Sequence, residues 1–244
     1  MKKLIVAILL LAMLFSVALA EETLPDLSNI SVGDVITFGH YEQDNNPDNG
    51  AEPIEWIVLD VQGGRALLLS KYGLDAKPFH SKLTGATWET CTLRAWLNSD
   101  FLNAAFNAEE QSLILITDVD NGSDQGYKDW DSSGGNNTQD RIFLLSYYES
   151  NQYLGVKFWQ DEDANKVEAR VAPTEYAVSL GADTSTTMQT AEGEATVWWW
   201  LRSPGEIQSV AACVTSGGSL RNSGLNADGC ADRPAFWLNL NPDI

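Results

Sequence analysis

Histidine, cysteine and basic residues are all scarce in this 244-residue chain, and each shortage excludes something. His40 and His80 are the only imidazoles, and neither stands in a GxSxG, HExxH or Cys-His context. Hydrolysis driven by a histidine base therefore has no motif to build on. Cysteine is limited to Cys91, Cys213 and Cys230, with no CxxC spacing, so neither a zinc ribbon nor a thioredoxin-type redox pair is encoded. Lysine and arginine together number 15 against 34 acidic residues, a net charge of -19. Nucleic acid and anionic membrane need phosphates neutralised by basic side chains, so neither is an expected partner. Long apolar runs are missing after the amino terminus, and no membrane span is expected once that segment is removed.

The amino terminus is the exception. Lys2 and Lys3, an apolar stretch from Leu4 to Leu19 and small residues at Ala18-Leu19-Ala20 read as a signal peptide over residues 1–20. The expected location is secreted or extracytoplasmic, with a mature chain starting at Glu21 and more acidic still without the two lysines. Residues 21–31 are expected to be a flexible lead-in, and residues 32–244 a single domain long enough to bury a sizeable core.

Tryptophan is abundant, with nine in the chain, and four of them fall in two runs near the carboxyl end. Val197-Trp198-Trp199-Trp200-Leu201-Arg202-Ser203-Pro204-Gly205 is answered by Arg233-Pro234-Ala235-Phe236-Trp237-Leu238-Asn239-Leu240. Tryptophan buries a large area while its N–H still needs a partner, so these runs predict inner strands. Between them, Val210 to Val214 predicts a further strand, and Gly217-Gly218 a turn, in an antiparallel meander that ends on Ala235 to Leu240. Upstream, Asp34 to Gly39 alternates as a half-buried strand. Glu55 to Val61 and Arg65 to Ser70 flank Gly63-Gly64, the pattern of a hairpin. Leu93, Trp96 and Leu97 take helical spacing, with Thr90 or Thr92 as the cap. Arg141 to Leu145 reads as a buried strand, Ser146 as the cap of a short helix and Thr174 to Val178 as another. Asp183 to Glu194 is small, polar and expected to be flexible.

The Asp118 to Asp140 segment is the longest polar stretch, a surface loop of the length that tends to be functional or mobile. Its opening, Asp118-Val119-Asp120-Asn121-Gly122-Ser123-Asp124, alternates oxygen donors beside a glycine, as oxygen-seeking cations require. Asp118, Asp120 and Asp124 are the candidate metal ligands and calcium the candidate ion; a flexible acidic loop is the alternative. No other cofactor is implied. Cys213 and Cys230 fall in neighbouring predicted strands, close enough for a disulfide, which leaves Cys91 as a buried free thiol.

The run from Trp199 to Gly205, then Ala211-Ala212, Gly217-Gly218 and Arg233 to Leu238, resembles the terminal motif of a family of bacterial secreted proteins, the domain of unknown function six-two-seven-three. The likeness extends through Cys91 to Asn98, Asp140 to Ser146 and Pro173 to Ala177. It implies an α+β, C-type-lectin-like fold of short antiparallel strands, a few short helices and long loops. That architecture is similar to formylglycine-generating enzymes and to retroelement-diversified binding proteins. The resemblance makes Ser219, Arg221, Asn222, Ser223, Asn226 and Asp228 the ligand-display positions; the alternative is that they are ordinary turn residues. Cys213 and Cys230 lack the close spacing of the reactive pair in formylglycine-generating enzymes, so that oxidation is not expected. Gly229-Cys230-Ala231-Asp232 stands where the family passes from a glycine straight into Arg-Pro-Ala.

The expected function is a non-enzymatic module that binds an extracellular glycan, peptide or surface protein through loops of the C-terminal sheet and the Asp118 to Asp140 loop. The alternatives are a carbohydrate- or cell-wall-active enzyme using acidic residues, and a structural envelope domain.

Overall fold

A computed structural model of the chain describes residue 27 and residues 29–241. The expected signal peptide lies outside the described residues, as do residues 21–26 and 28 of the lead-in; Leu27 and Ile30 pack against the core.

Three strands, β1 (Val35–Tyr41), β2 (Glu52–Gln62) and β3 (Arg65–Ser70), precede three short helices, α1 (Thr92–Trp96), α2 (Leu102–Ala105) and α3 (Ala108–Leu113). A small ribbon of β4 (Thr117–Val119) and β5 (Thr138–Asp140) then brackets the long polar segment. Helices α4 (Tyr147–Leu154) and α5 (Glu175–Ser179) follow, and then a second ribbon of β6 (Thr184–Gln189) and β7 (Ala195–Val197). The chain closes with β8 (Trp199–Pro204), β9 (Val210–Val214), β10 (Leu220–Gly224) and β11 (Ala235–Asn239). The protein is α+β, and the pairings among these named strands are antiparallel.

The β2–β3 hairpin forms as its glycines dictate: Gly63 and Gly64 have φ of 57° and 74°, the positive pair a two-residue hairpin loop demands. Sheet order is β1-β2-β3-β11 in one layer and β10-β9-β8 in the other. The last strand thus departs from the expected meander. It crosses to pair with β3, Phe236 opposite Leu68, where its buried side chains find the core of the first sheet. Alternation marks a residue's face but does not name the partner strand. Arg141 to Leu145 forms no strand: it opens on a bend and pairs with the first sheet at a single bridge, Phe143 to Ala235. Asp183 to Glu194 contains β6 and the turn that leads to β7, a strand the sequence reading did not place there.

Short helices are fixed by their caps. Cys91, rather than either threonine, caps α1, its Sγ accepting from the Arg94 N–H at 3.4 Å. Burial pushes the Cys91 thiol up to about 12, so it stays protonated. Ser146 caps α4 as expected, in a reciprocal capping box with Glu149, and Thr174 is the cap of α5 rather than its first residue.

One hydrophobic core serves both sheets. Trp56 stands edge-on to Phe236 with ring centres 4.7 Å apart, and Phe106 packs against both. Each fully buried indole N–H has an acceptor: Trp56 donates to Phe38 O, Trp88 to Asp140 Oδ2, Trp199 to Ala169 O and Trp200 to Lys77 O. Residues 230–233 join the layers, since Ala231 bridges Trp199 while Asp232 bridges Asp75.

That junction walls in two acids. Asp75 accepts from the Tyr41 hydroxyl at 2.6 Å, and Asp232 accepts from the Lys77 N–H, with its second oxygen unpartnered among the described residues. Burial first, then the neighbouring Asp75, raise the Asp232 pKa well above the carboxylate range. A raised folded pKa contributes stability below the unfolded value of about 4 that is lost as pH rises through the folded value. The melting temperature of the wild type should therefore fall more steeply from pH 4 upward than that of Asp232→Asn. Parallel curves would show that Asp232 ionises normally.

Candidate functional site

Strand β10 is the edge of its sheet, so its outer side chains meet solvent or whatever docks there. Arg221, Asn222 and Ser223 are half-buried on this strand, and Asn226 and Asp228 are exposed in the loop beyond it. Ser219 differs. It is 4 % exposed, and its hydroxyl lies 2.9 Å from that of Thr215 across the β9–β10 turn, so it closes the turn rather than displaying itself. Gly218 in this turn has a φ of 88°, and a Cβ there would stand 1.9 Å from the Lys166 carbonyl oxygen. The turn is therefore seated directly on the 157–167 segment, which brings Phe158 beside Leu220.

A strip of aromatic rings begins at that bridge. Phe158 stacks on Tyr127 with centres 4.6 Å apart and planes at 17°. Trp130 and Tyr147 meet Tyr127 edge-on at 5.4 and 5.8 Å, and Trp159 follows Phe158 at 6.0 Å. The Arg221 guanidinium lies 3.6 Å from the centre of the Trp159 ring, so the strip runs into the display strand. Trp159 is 41 % and Tyr148 54 % exposed, large apolar surfaces for a soluble face.

Tyr127, Tyr147 and Tyr148, with Asp124, Asn151 and Asp161, line a cleft of about 320 Å³. On its other side Tyr148 joins Asp118, Asp120 and Glu149 in lining a second cleft of about 490 Å³. Burial, followed by nearby aspartates, raises the pKa of Tyr127 and Tyr147, so both hydroxyls remain donors at neutral pH. Flat apolar rings set beside carboxylate, amide and hydroxyl groups make a surface that grips a molecule with both apolar faces and hydroxyls.

Arg202 holds this surface in shape. It is 2 % exposed and pairs with Glu149 on α4, while donating to Leu144 O at 2.9 Å and Asp120 O at 3.0 Å. Its neighbour Ser203 donates to Gln125 O and accepts from the Tyr147 N–H. Gln208 ties the far end of the loop, exchanging bonds with Ser133. The Asp118 to Asp140 segment is thus clamped at both ends.

The three aspartates of that segment are not gathered at one point. Asp118 accepts from Gln139 across the β4–β5 ribbon, and Asp120 accepts from the Gly122 N–H in a local turn, so the loop uses these carboxylates on itself. Glu42, Asp44 and Glu52 do bring oxygens within 4.8 Å of one another, the group of three that metal-ligand spacing selects among the described residues. Their oxygens already accept from the backbone of Gln43, Asp44 and Asn46. Cys213 and Cys230 are both buried free thiols, with burial first and then Cys230 raising the Cys213 pKa, and Cys91 is free as expected.

Sequence reasoning missed the aromatic strip. Its signal was present: tyrosine and tryptophan recur at Tyr127, Trp130 and Tyr147-Tyr148 within or beside an otherwise polar segment, and adjacent helical residues cannot both face a core.

The family model described as Domain of unknown function (DUF6273) matches residues 63–240. No curated protein and no solved structure matches the chain.

Proposed function

We propose, from the premise that this chain belongs to the family described as Domain of unknown function (DUF6273), that it is a secreted, non-enzymatic module of C-type-lectin-like fold that binds a glycan. The observation that carries the reading is the continuity of the aromatic strip with the polar edge strand. Sugar rings offer C–H faces that stack on Trp159 and Tyr148, and their hydroxyls suit Asp124, Asn151, Asp161 and Arg221. A net charge of -19 favours a neutral or basic saccharide over a polyanionic one. No helix among the described residues is long and apolar enough to cross a membrane.

Retention on immobilised polysaccharides, chitin and peptidoglycan among them, tests the reading. Trp159→Ala should weaken binding by about tenfold, as loss of an interface tryptophan does, while its thermal stability stays close to wild type. Equal retention of variant and wild type would remove the aromatic strip from the account, and selective binding to a peptide array would replace the glycan with a peptide.

A further inference from the structure

A different cleft, of about 280 Å³, lies between the end of the first sheet where Val35 pairs with Ile57, residues 167–172, and the turn between β6 and β7. It shares no residue with the aromatic strip. Arg233 forms part of its wall and is only 1 % exposed. The guanidinium donates from Nε to Ser70 O at 2.9 Å and lies 4.9 Å from the centre of the Trp199 ring. Its Nη1, shielded from solvent, has no hydrogen-bond partner among the described residues, and no carboxylate there pairs with it.

Arg170 lines the same cleft and, among the described residues, donates to main-chain carbonyls, Gly217 O and Gln189 O. In a chain with 34 acids against 15 bases, two arginines without a carboxylate partner in one cleft run against composition. A buried guanidinium is costly unless an anion completes it, and its fork matches a carboxylate. Burial lowers the Arg233 pKa to about 9, which still leaves it cationic at neutral pH. At the mouth stand Glu168, Glu192 and Glu194, with Lys71 already paired to Glu55 at 3.0 Å. Those glutamates repel a dianion such as phosphate and attract an ammonium.

We infer that this cleft binds a small amino-acid-like zwitterion, its carboxylate on Arg233 and Arg170 and its ammonium on the glutamate side. The volume is at the small end for a ligand site, which suits an amino acid rather than a glycan chain.

Calorimetric titration of the full chain with a panel of free amino acids, their carboxamides and propionate tests the inference. At least one amino acid should bind at millimolar concentration, and its carboxamide should bind at least tenfold more weakly. Arg170→Gln, a half-buried position, should weaken binding about tenfold while lowering the melting temperature by only a few degrees; this variant keeps the test open if Arg233→Lys fails to fold. Glu192→Gln with Glu194→Gln should weaken the amino acid while propionate binds as well as before or more tightly, since two repelling charges are gone. Absence of binding by every amino acid, or equal binding of acid and carboxamide, overturns the carboxylate site. Binding of propionate with no amino acid overturns the zwitterion.

Discussion

Arg202→Ala should lose about 3–5 kcal/mol of stability, the range for breaking a buried ion pair from one side. The same substitution should abolish glycan retention in whatever fraction remains folded. The size follows from how much hangs on one side chain. Both Glu149 oxygens, Leu144 O and Asp120 O accept from it, and the carbonyls would be left without their donor in a nearly solvent-free position. Function follows from geometry, because Glu149 sits on α4 with Tyr147 and Tyr148, and Asp120 starts the loop that carries Tyr127 and Trp130. Urea denaturation gives the first quantity and polysaccharide retention the second. Arg221→Ala, by contrast, removes a half-buried cation from one ring and should cost at most about 1 kcal/mol. A loss below that for Arg202→Ala would mean that the loop and helix hold themselves in place.

The second large effect is expected at Trp200→Ala, again about 3–5 kcal/mol. Trp200 is fully buried, stands edge-on to Phe79 at 5.8 Å, and donates its indole N–H to Lys77 O. Alanine would leave a cavity between β8 and the segment that leads to α1, along with a carbonyl that has lost its donor. Trp200→Phe keeps most of the ring and should cost less, mainly the hydrogen bond at about 1–2 kcal/mol plus incomplete filling. Denaturant midpoints of the two variants separate the packing contribution from the polar one. If alanine and phenylalanine destabilise equally, packing of the ring is not what holds the second sheet.

Local chemistry was legible wherever a rule operates within a few residues. Gly63-Gly64 marked its hairpin, Ser146 and Thr174 marked their helix starts, and the succession of β8 and β9 followed from the turn between them. What stayed hidden depended on partners far away in sequence. Nothing in Ala235 to Asn239 says that it pairs with β3 rather than β10, because either neighbour would bury the same alternate residues. The ribbon of β6 was masked for a different reason: most of its residues are exposed, so the hydrophobic alternation that announces a strand is absent.

The candidate site divided along the same line. Arg221, Asn222, Ser223, Asn226 and Asp228 reach the surface, as a resemblance in sequence could indicate, whereas the withdrawal of Ser219 depends on a side-chain bond to Thr215. The three aspartates shared a spacing but not a focus, since two of them bond within their own ribbon or turn. The aromatic strip needed the clamp made by Arg202, Ser203 and Gln208, and no spacing rule predicts a contact across some eighty positions.

The most direct measurement is a crystal soaked in oligosaccharides drawn from the polysaccharides that retain the protein. The account predicts difference density for a sugar ring stacked on Trp159 or Tyr148, with hydroxyls within hydrogen-bonding distance of Asp161, Asn151 or Arg221. Density confined to another face of the molecule, with the strip open to solvent and bare, would contradict it.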